Sequence, residues 1–155
     1  MFEKILVPLD GSGHSLRALE IAVQIAKKFD GKITLIHVYS VVVAPVIMPE
    51  PTTIAPPMVS VTTPIEVSKV TEASRRAGTS ILADGEQRVK AEGVPVETML
   101  KEGHTIQEII KTAKEGGFNL IVMGARGISK IKEILLGSVS DGVTRSAPCP
   151  VLVVK

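Results

Sequence analysis

The residues with the most chemical promise are a set of glycines followed by a serine. Gly124-Ala125-Arg126-Gly127 is followed, after nine residues, by Gly137-Ser138. Glycine lets the main chain approach a phosphate closely and take positive φ. Gly137-Ser138 stands where a helix opens, and the free N–H groups and dipole of a helix start attract anions. A second polar turn, Asp10-Gly11-Ser12-Gly13, contributes a carboxylate. These residues also have a plainer use. Gly124 and Gly127 serve equally as turn residues, Asp10 as a turn residue or cap, and Ser138 as an N-cap with Asp141 completing a capping box. Spacing alone leaves both readings open.

The elements that must position these residues alternate regularly. Residues 4–9 are a short apolar run that stops at Asp10-Gly11, a buried strand and its turn. Helical spacing of Leu16, Leu19, Ala22, Val23 and Ala26 predicts a helix over 15–29, ended by Asp30-Gly31. A second strand is expected over 32–43. Residues 42–64 then hold Pro45, Pro49, Pro51, Pro56, Pro57 and Pro64, which exclude helix and central strand. So long a stretch reads as a lid, a partner-binding arm or a mobile insert. Thr63-Pro64-Ile65-Glu66 reads as a capped start for a helix running to about Ala91. A strand over 95–100 carries a proline and so belongs near a sheet edge. Thr105 and Glu108 form a second capping box, Phe118 to Met123 a fourth strand, 138–146 a last helix and 151–154 a closing strand. The order β-α-β-α-β-α-β-α-β, with near-continuous aliphatic strands, predicts an α/β fold with a parallel sheet covered on both faces. In such a sheet ligands bind beyond the carboxyl ends of the strands, where strand order reverses.

Composition narrows the function. With 155 residues, 45% of them hydrophobic, the chain is long enough for one domain with a buried core. Aromatic residues make up only 3% and tryptophan is absent, which argues against stacking nucleic-acid bases on aromatic platforms. A net charge of +2, with scattered lysines and arginines, gives no polyanion footprint. His14, His37 and His104 are too separated to suggest a metal site, and His37, within a strand, reads as a core histidine. The single cysteine, Cys149, lies between two prolines and reads as a buried, inert thiol. Met1 to Leu9 lacks the long apolar region of a secretory signal, and no run is long enough to span a bilayer, so a cytoplasmic protein is expected.

Three segments share a likeness. Ile5-Leu6-Val7-Pro8-Leu9-Asp10-Gly11-Ser12 resembles the opening strand of universal stress proteins. Gly124-x-x-Gly127-x9-Gly137-Ser138 is similar to the motif of their ATP-binding branch, and Pro148-Cys149-Pro150-Val151-Leu152-Val153-Val154 resembles their last strand. The likeness spans the chain apart from the 42–64 insert. It implies one domain over 1–155, doubly wound, with a five-stranded parallel sheet in order 3-2-1-4-5 and helices on both faces. That is the adenine-nucleotide alpha-hydrolase-like fold. It also implies a homodimer paired through Val151, Leu152, Val153 and Val154. In the ligand site so implied, Asp10 holds the ribose hydroxyls and the main chain around Val38 reads the adenine edge beside Pro8. Met123 and Gly124 flank the ribose. Gly127, Gly137, Ser138, Val139 and Ser140 surround the phosphates, whose oxygens a magnesium or manganese ion bridges, without protein metal ligands. Arg126 is expected to point to solvent.

Three functions follow from these features. The first is an ATP-responsive regulatory or stress-response module with no catalytic residue and an unidentified protein partner. The second is a slow ATP hydrolase or adenylyl-transferring enzyme of the same fold. The chain lacks a Gly-x4-Gly-Lys-Ser/Thr loop, and Asp10-Gly11-Ser12-Gly13-His14-Ser15 does not match the Ser-Gly-Gly-x-Asp-Ser pattern of pyrophosphate-releasing synthetases. The third, a structural dimer without ligand, sits poorly with the complete glycine set.

Overall fold

The aliphatic runs pair side by side in the computed structural model, which describes residues 1–40, 64–128 and 136–155. Strands β1 (Lys4–Pro8), β2 (Lys32–Tyr39), β3 (Val96–Glu102), β4 (Leu120–Gly124) and β5 (Val151–Val154) form one parallel sheet in order β3-β2-β1-β4-β5. Helices α1 (Gly13–Phe29), α2 (Pro64–Ala91), α3 (Thr105–Glu115) and α4 (Ser138–Ser146) connect them. The expected insert at 42–64, including the tail of the second strand at 41–43 and the Thr63 cap, lies outside the described residues up to Pro64. Among the described residues no helix is long and apolar enough to cross a membrane.

Side-chain alternation divides the core by sheet face, because successive strand residues point to opposite sides. Ile5, Val7, Ile33, Leu35, Leu120 and Val122 pack beneath α1 (Ala18, Leu19, Ala22, Val23, Ala26) and α2 (Leu82, Val89). Leu6, Ile36, Ile121 and Met123 point the other way, onto Ile109 and Ala113 of α3 and Val143 of α4. The proline-bearing strand is an edge, as expected. Pro95 sits just before β3 and contributes only its carbonyl, which accepts the Ile33 N–H at 2.9 Å.

Several boundaries differ from the sequence reading for local reasons. Helix α1 starts at Gly13 rather than Ser15, because Ser12 is its N-cap and the Ser12 Oγ accepts the Ser15 N–H at 3.2 Å. It stops on Asp30 itself, in the left-handed region at φ 51°, a conformation that aspartate tolerates better than most side chains. Gly31 is glycine for space: a Cβ there would lie 2.6 Å from the Phe2 carbonyl oxygen. At α3 the expected Thr105/Glu108 capping box is absent. His104 occupies the N-cap without a side-chain bond and Thr105 is already helical. Strand β3 runs on to Glu102 and the turn at Gly103 (φ 147°) moves the helix start. Strand β4 begins at Leu120 rather than Phe118, after the Asn119 side chain has accepted the Lys4 N–H.

Candidate functional site

Strand β1 lies between β2 and β4, so the crossovers leaving β1 and β3 run to opposite sides of it. The loops therefore part over the carboxyl ends of β1 and β4, and a crevice opens there. A cavity of about 320 Å³ fills this position, near the lower end of the range for small-molecule sites. All ten residues named from the sequence line it: Pro8, Asp10, Val38, Met123, Gly124, Gly127, Gly137, Ser138, Val139 and Ser140. They come from four separate parts of the chain, and the sheet order is what assembles them.

The start of α4 forms one wall. Gly137 is the N-cap (φ −70°, ψ 160°) and makes no side-chain bond to the helix. The first intrahelical bond runs from Asp141 N–H to the Gly137 carbonyl at 2.9 Å. The N–H groups of Ser138, Val139 and Ser140 thus precede the helical ladder, at the positive end of the dipole. The alternative in which Ser138 caps the helix with Asp141 is excluded, since Ser138 is its first helical residue. Ser140 is only 2% exposed. Its hydroxyl lies 2.8 Å from the Ala125 carbonyl and 2.9 Å from that of Gly137, so it is used to join the β4 loop to the helix. Only its main-chain N–H remains for a ligand.

Two of the three motif glycines, Gly124 and Gly127, are needed for space rather than dihedral freedom. Positive φ occurs at Gly11, Gly93, Gly103 and Gly117 and at none of the motif glycines. A Cβ on Gly124 would lie 2.7 Å from the His14 carbonyl carbon and 2.9 Å from the Ser15 nitrogen, so this glycine seats the first turn of α1. A Cβ on Gly127 would lie 2.6 Å from Asp10 Oδ2. Gly137 is different: the nearest atom to a Cβ there is 3.4 Å away, an ordinary contact.

Asp10 is both turn residue and cavity wall. Its Oδ1 accepts the Ser12 N–H at 2.9 Å, while Oδ2 lies against Gly127, 2.6 Å from where a Cβ there would stand. Among the described residues that line the cavity, Asp10 is the one carboxylate and Arg126 the one permanent cation. Arg126, expected in solvent, is half-buried on the cavity wall. Six further lining residues, Leu9, Ser15, Ile36, Thr105, Ile109 and Ile128, were not named as site residues from the sequence. Thr105 and Ile109 reach the cavity from the start of α3, and no local motif marks them. His37 was read as a core residue; it is half-buried, lines the cavity, and its Nδ1 lies 2.7 Å from the Leu9 carbonyl oxygen. No cluster of three metal-ligating side chains exists among the described residues.

The comparisons with known proteins agree with this architecture. The family model described as the universal stress protein family matches residues 1–155. Universal stress protein YxiE of Bacillus subtilis is 36% identical over 155 residues, covering all of both chains. The solved structure of MJ0577, from Methanocaldococcus jannaschii, superposes with a TM-score of 0.82 at 25% identity, covering 100% of this chain and 96% of that one. A universal stress protein solved in complex with cAMP superposes with a TM-score of 0.68 at 28% identity, covering 99% and 97%. A whole-length family match, a full-length relative above 30% identity and the shared sheet order lead to one conclusion: this chain belongs to the universal stress protein family.

Proposed function

We propose that the cavity binds ATP as a regulatory ligand rather than as a substrate for rapid turnover. One observation carries this reading: the uncapped start of α4 faces the Asp10 carboxylate across a single crevice. Phosphates are matched to the first and a ribose diol to the second, and a nucleotide carries both on one molecule. Helix N–H groups at Ser138, Val139 and Ser140 donate to phosphate oxygens. Asp10 Oδ2 accepts from the ribose hydroxyls beside Met123 and Gly124, and the Val38 main chain meets the adenine edge next to Pro8. Gly127 and Gly137 leave room for the phosphates. A magnesium or manganese ion fits this donor set as a passenger on the phosphate oxygens, since no described protein cluster holds it. The relative solved with cAMP supports an adenine nucleotide as the ligand class.

The same reading includes a homodimer through β5. That strand pairs with β4 on one side only, and its Leu152 is 37% exposed although apolar. Occupancy of the cavity would regulate a partner only through unequal affinity for two states of the protein.

The test begins with protein purified without added nucleotide. Ligand released by denaturation is identified by mass, and ATP with magnesium or manganese is then titrated calorimetrically. Co-purified ATP with little ADP, and saturable heat, is the expected result. Folded protein that carries no nucleotide and gives no heat would return the chain to a ligand-free structural role. Light scattering after gel filtration reads the dimer, and a monomer at working concentration removes the β5 assignment.

A further inference from the structure

We infer that His37 is a positioning residue that holds open the edge of β2 on which the adenine is read; this rests on the nucleotide reading above. In a parallel strand the N–H and C=O of one residue point to the same side, alternating along the chain. The Leu9 N–H bonds the Ile36 carbonyl at 2.9 Å, while the Ile33 N–H bonds Pro95 on the other side. Even-numbered residues of β2 therefore face β1, and Val38 is the next of them. A regular ladder would continue with the Val38 N–H donating to the Leu9 carbonyl. No such bond forms. The Leu9 carbonyl is instead engaged by His37 Nδ1 at 2.7 Å. A carbonyl only accepts, so Nδ1 carries the proton. The side chain thus takes the place of the ladder bond, and the Val38 N–H and C=O are left facing the cavity as one donor and one acceptor. That pair matches the N1 acceptor and N6 amino donor of adenine.

The neighbouring helix is cut to fit this ring. A Cβ on Gly78 of α2 would overlap the Cδ2 edge of His37 and lie 3.0 Å from Nε2 and 2.8 Å from a Leu100 methyl. Gly78 does not line the cavity, so its absent side chain bears on the site only through His37.

The experiment compares affinities for ATP and ITP, whose base swaps the donor and acceptor at positions 6 and 1. Wild-type protein is expected to prefer ATP by on the order of tenfold or more, since a mispaired buried polar edge is costly. His37→Leu should bring the ratio close to one by weakening ATP while leaving ITP within about twofold. His37→Asn, whose amide N–H reaches a similar point, should restore most of the preference. Gly78→Ala, which displaces the ring from behind, should narrow the ratio in folded protein. Equal weakening of both nucleotides in His37→Leu would make His37 merely structural and overturn the assignment, as would an unchanged ratio. Wild-type protein that binds ATP and ITP alike overturns it too, but leaves the nucleotide reading standing. Wild-type protein that binds neither removes both.

Discussion

Helices α1 and α4 begin at the same edge of the sheet, after the two adjacent strands β1 and β4, yet their N-termini are finished in opposite ways. At α1 the dipeptide is Ser12-Gly13 and the serine takes the cap position, where its hydroxyl accepts the Ser15 N–H. Asp10 Oδ1 accepts the Ser12 N–H as well, so the turn is closed on itself. At α4 the dipeptide is reversed to Gly137-Ser138, and the cap position carries no side chain. One helix start ties the Ser15 N–H to its own cap side chain, and the other has no side-chain cap and lines the crevice. Composition does not distinguish the two. A shift of one position for the serine decides which helix start carries a side-chain cap.

The largest break in that contrast should come from Gly127→Val. The new side chain would drive into Asp10 Oδ2 and fill the space between the two helix starts. ATP affinity should fall by on the order of a hundredfold, about 2.7 kcal/mol, with an unchanged far-ultraviolet circular dichroism spectrum. Retained affinity in folded protein would remove Gly127 from the phosphate site. Asp10→Ala should cost roughly 1–3 kcal/mol of ATP binding if its carboxylate accepts from the ribose. The loss should be small for 2′,3′-dideoxy-ATP, and equal losses for the two nucleotides would reduce Asp10 to a turn residue.

Giving α4 the arrangement of α1 sharpens the comparison. Gly137→Asp has room for its Cβ and supplies a carboxylate cap. It should stabilise the apo protein by a few tenths of a kcal/mol while weakening ATP by about tenfold, roughly 1.4 kcal/mol, through competition and repulsion. Opposite signs in thermal melting and calorimetry are the signature; a parallel change in both would count against an open helix start as the anion site. Ser12→Ala reverses the experiment on α1. It should lower stability by about 1 kcal/mol, a shift of roughly 2–4 °C in Tm for a chain of this size, and leave ATP affinity within about twofold.

Much of this was legible in the sequence because its determinants are local. Aliphatic runs bounded by glycine gave four of the five strands closely, and the proline before Val96 put β3 at an edge. The site residues were reached through the family likeness, since turn glycines alone do not reveal a ligand. What escaped depends on contacts between distant positions. Gly124 is glycine because of His14 and Ser15, and the hydroxyl of Ser140 is turned inward by the Ala125 carbonyl. His37 was hidden for the same reason: a strand histidine looks like core until the Leu9 carbonyl is found beside it. Cys149 was expected to be buried and is only partly so, although its surroundings still push the thiol upward by desolvation. The α3 cap was misplaced by one residue because strand β3 outlasts its apolar residues.

The two sides of the sheet carry different obligations. The cluster under α1 and α2 is the more extensive and meets the cavity at little more than Leu9. The smaller cluster under α3 and α4 lends Ile36, Ile109 and Met123 directly to the cavity floor. Away from the contact between Gly78 and His37, packing on the first side can drift wherever volume is conserved, with little consequence for the shape of the cavity. On the second, a change at Ile36, Ile109 or Met123 that reshapes the core also reshapes the cavity. Selection on ligand choice and selection on folding therefore fall on the same few side chains, and a deep mutational scan would find them inseparable there.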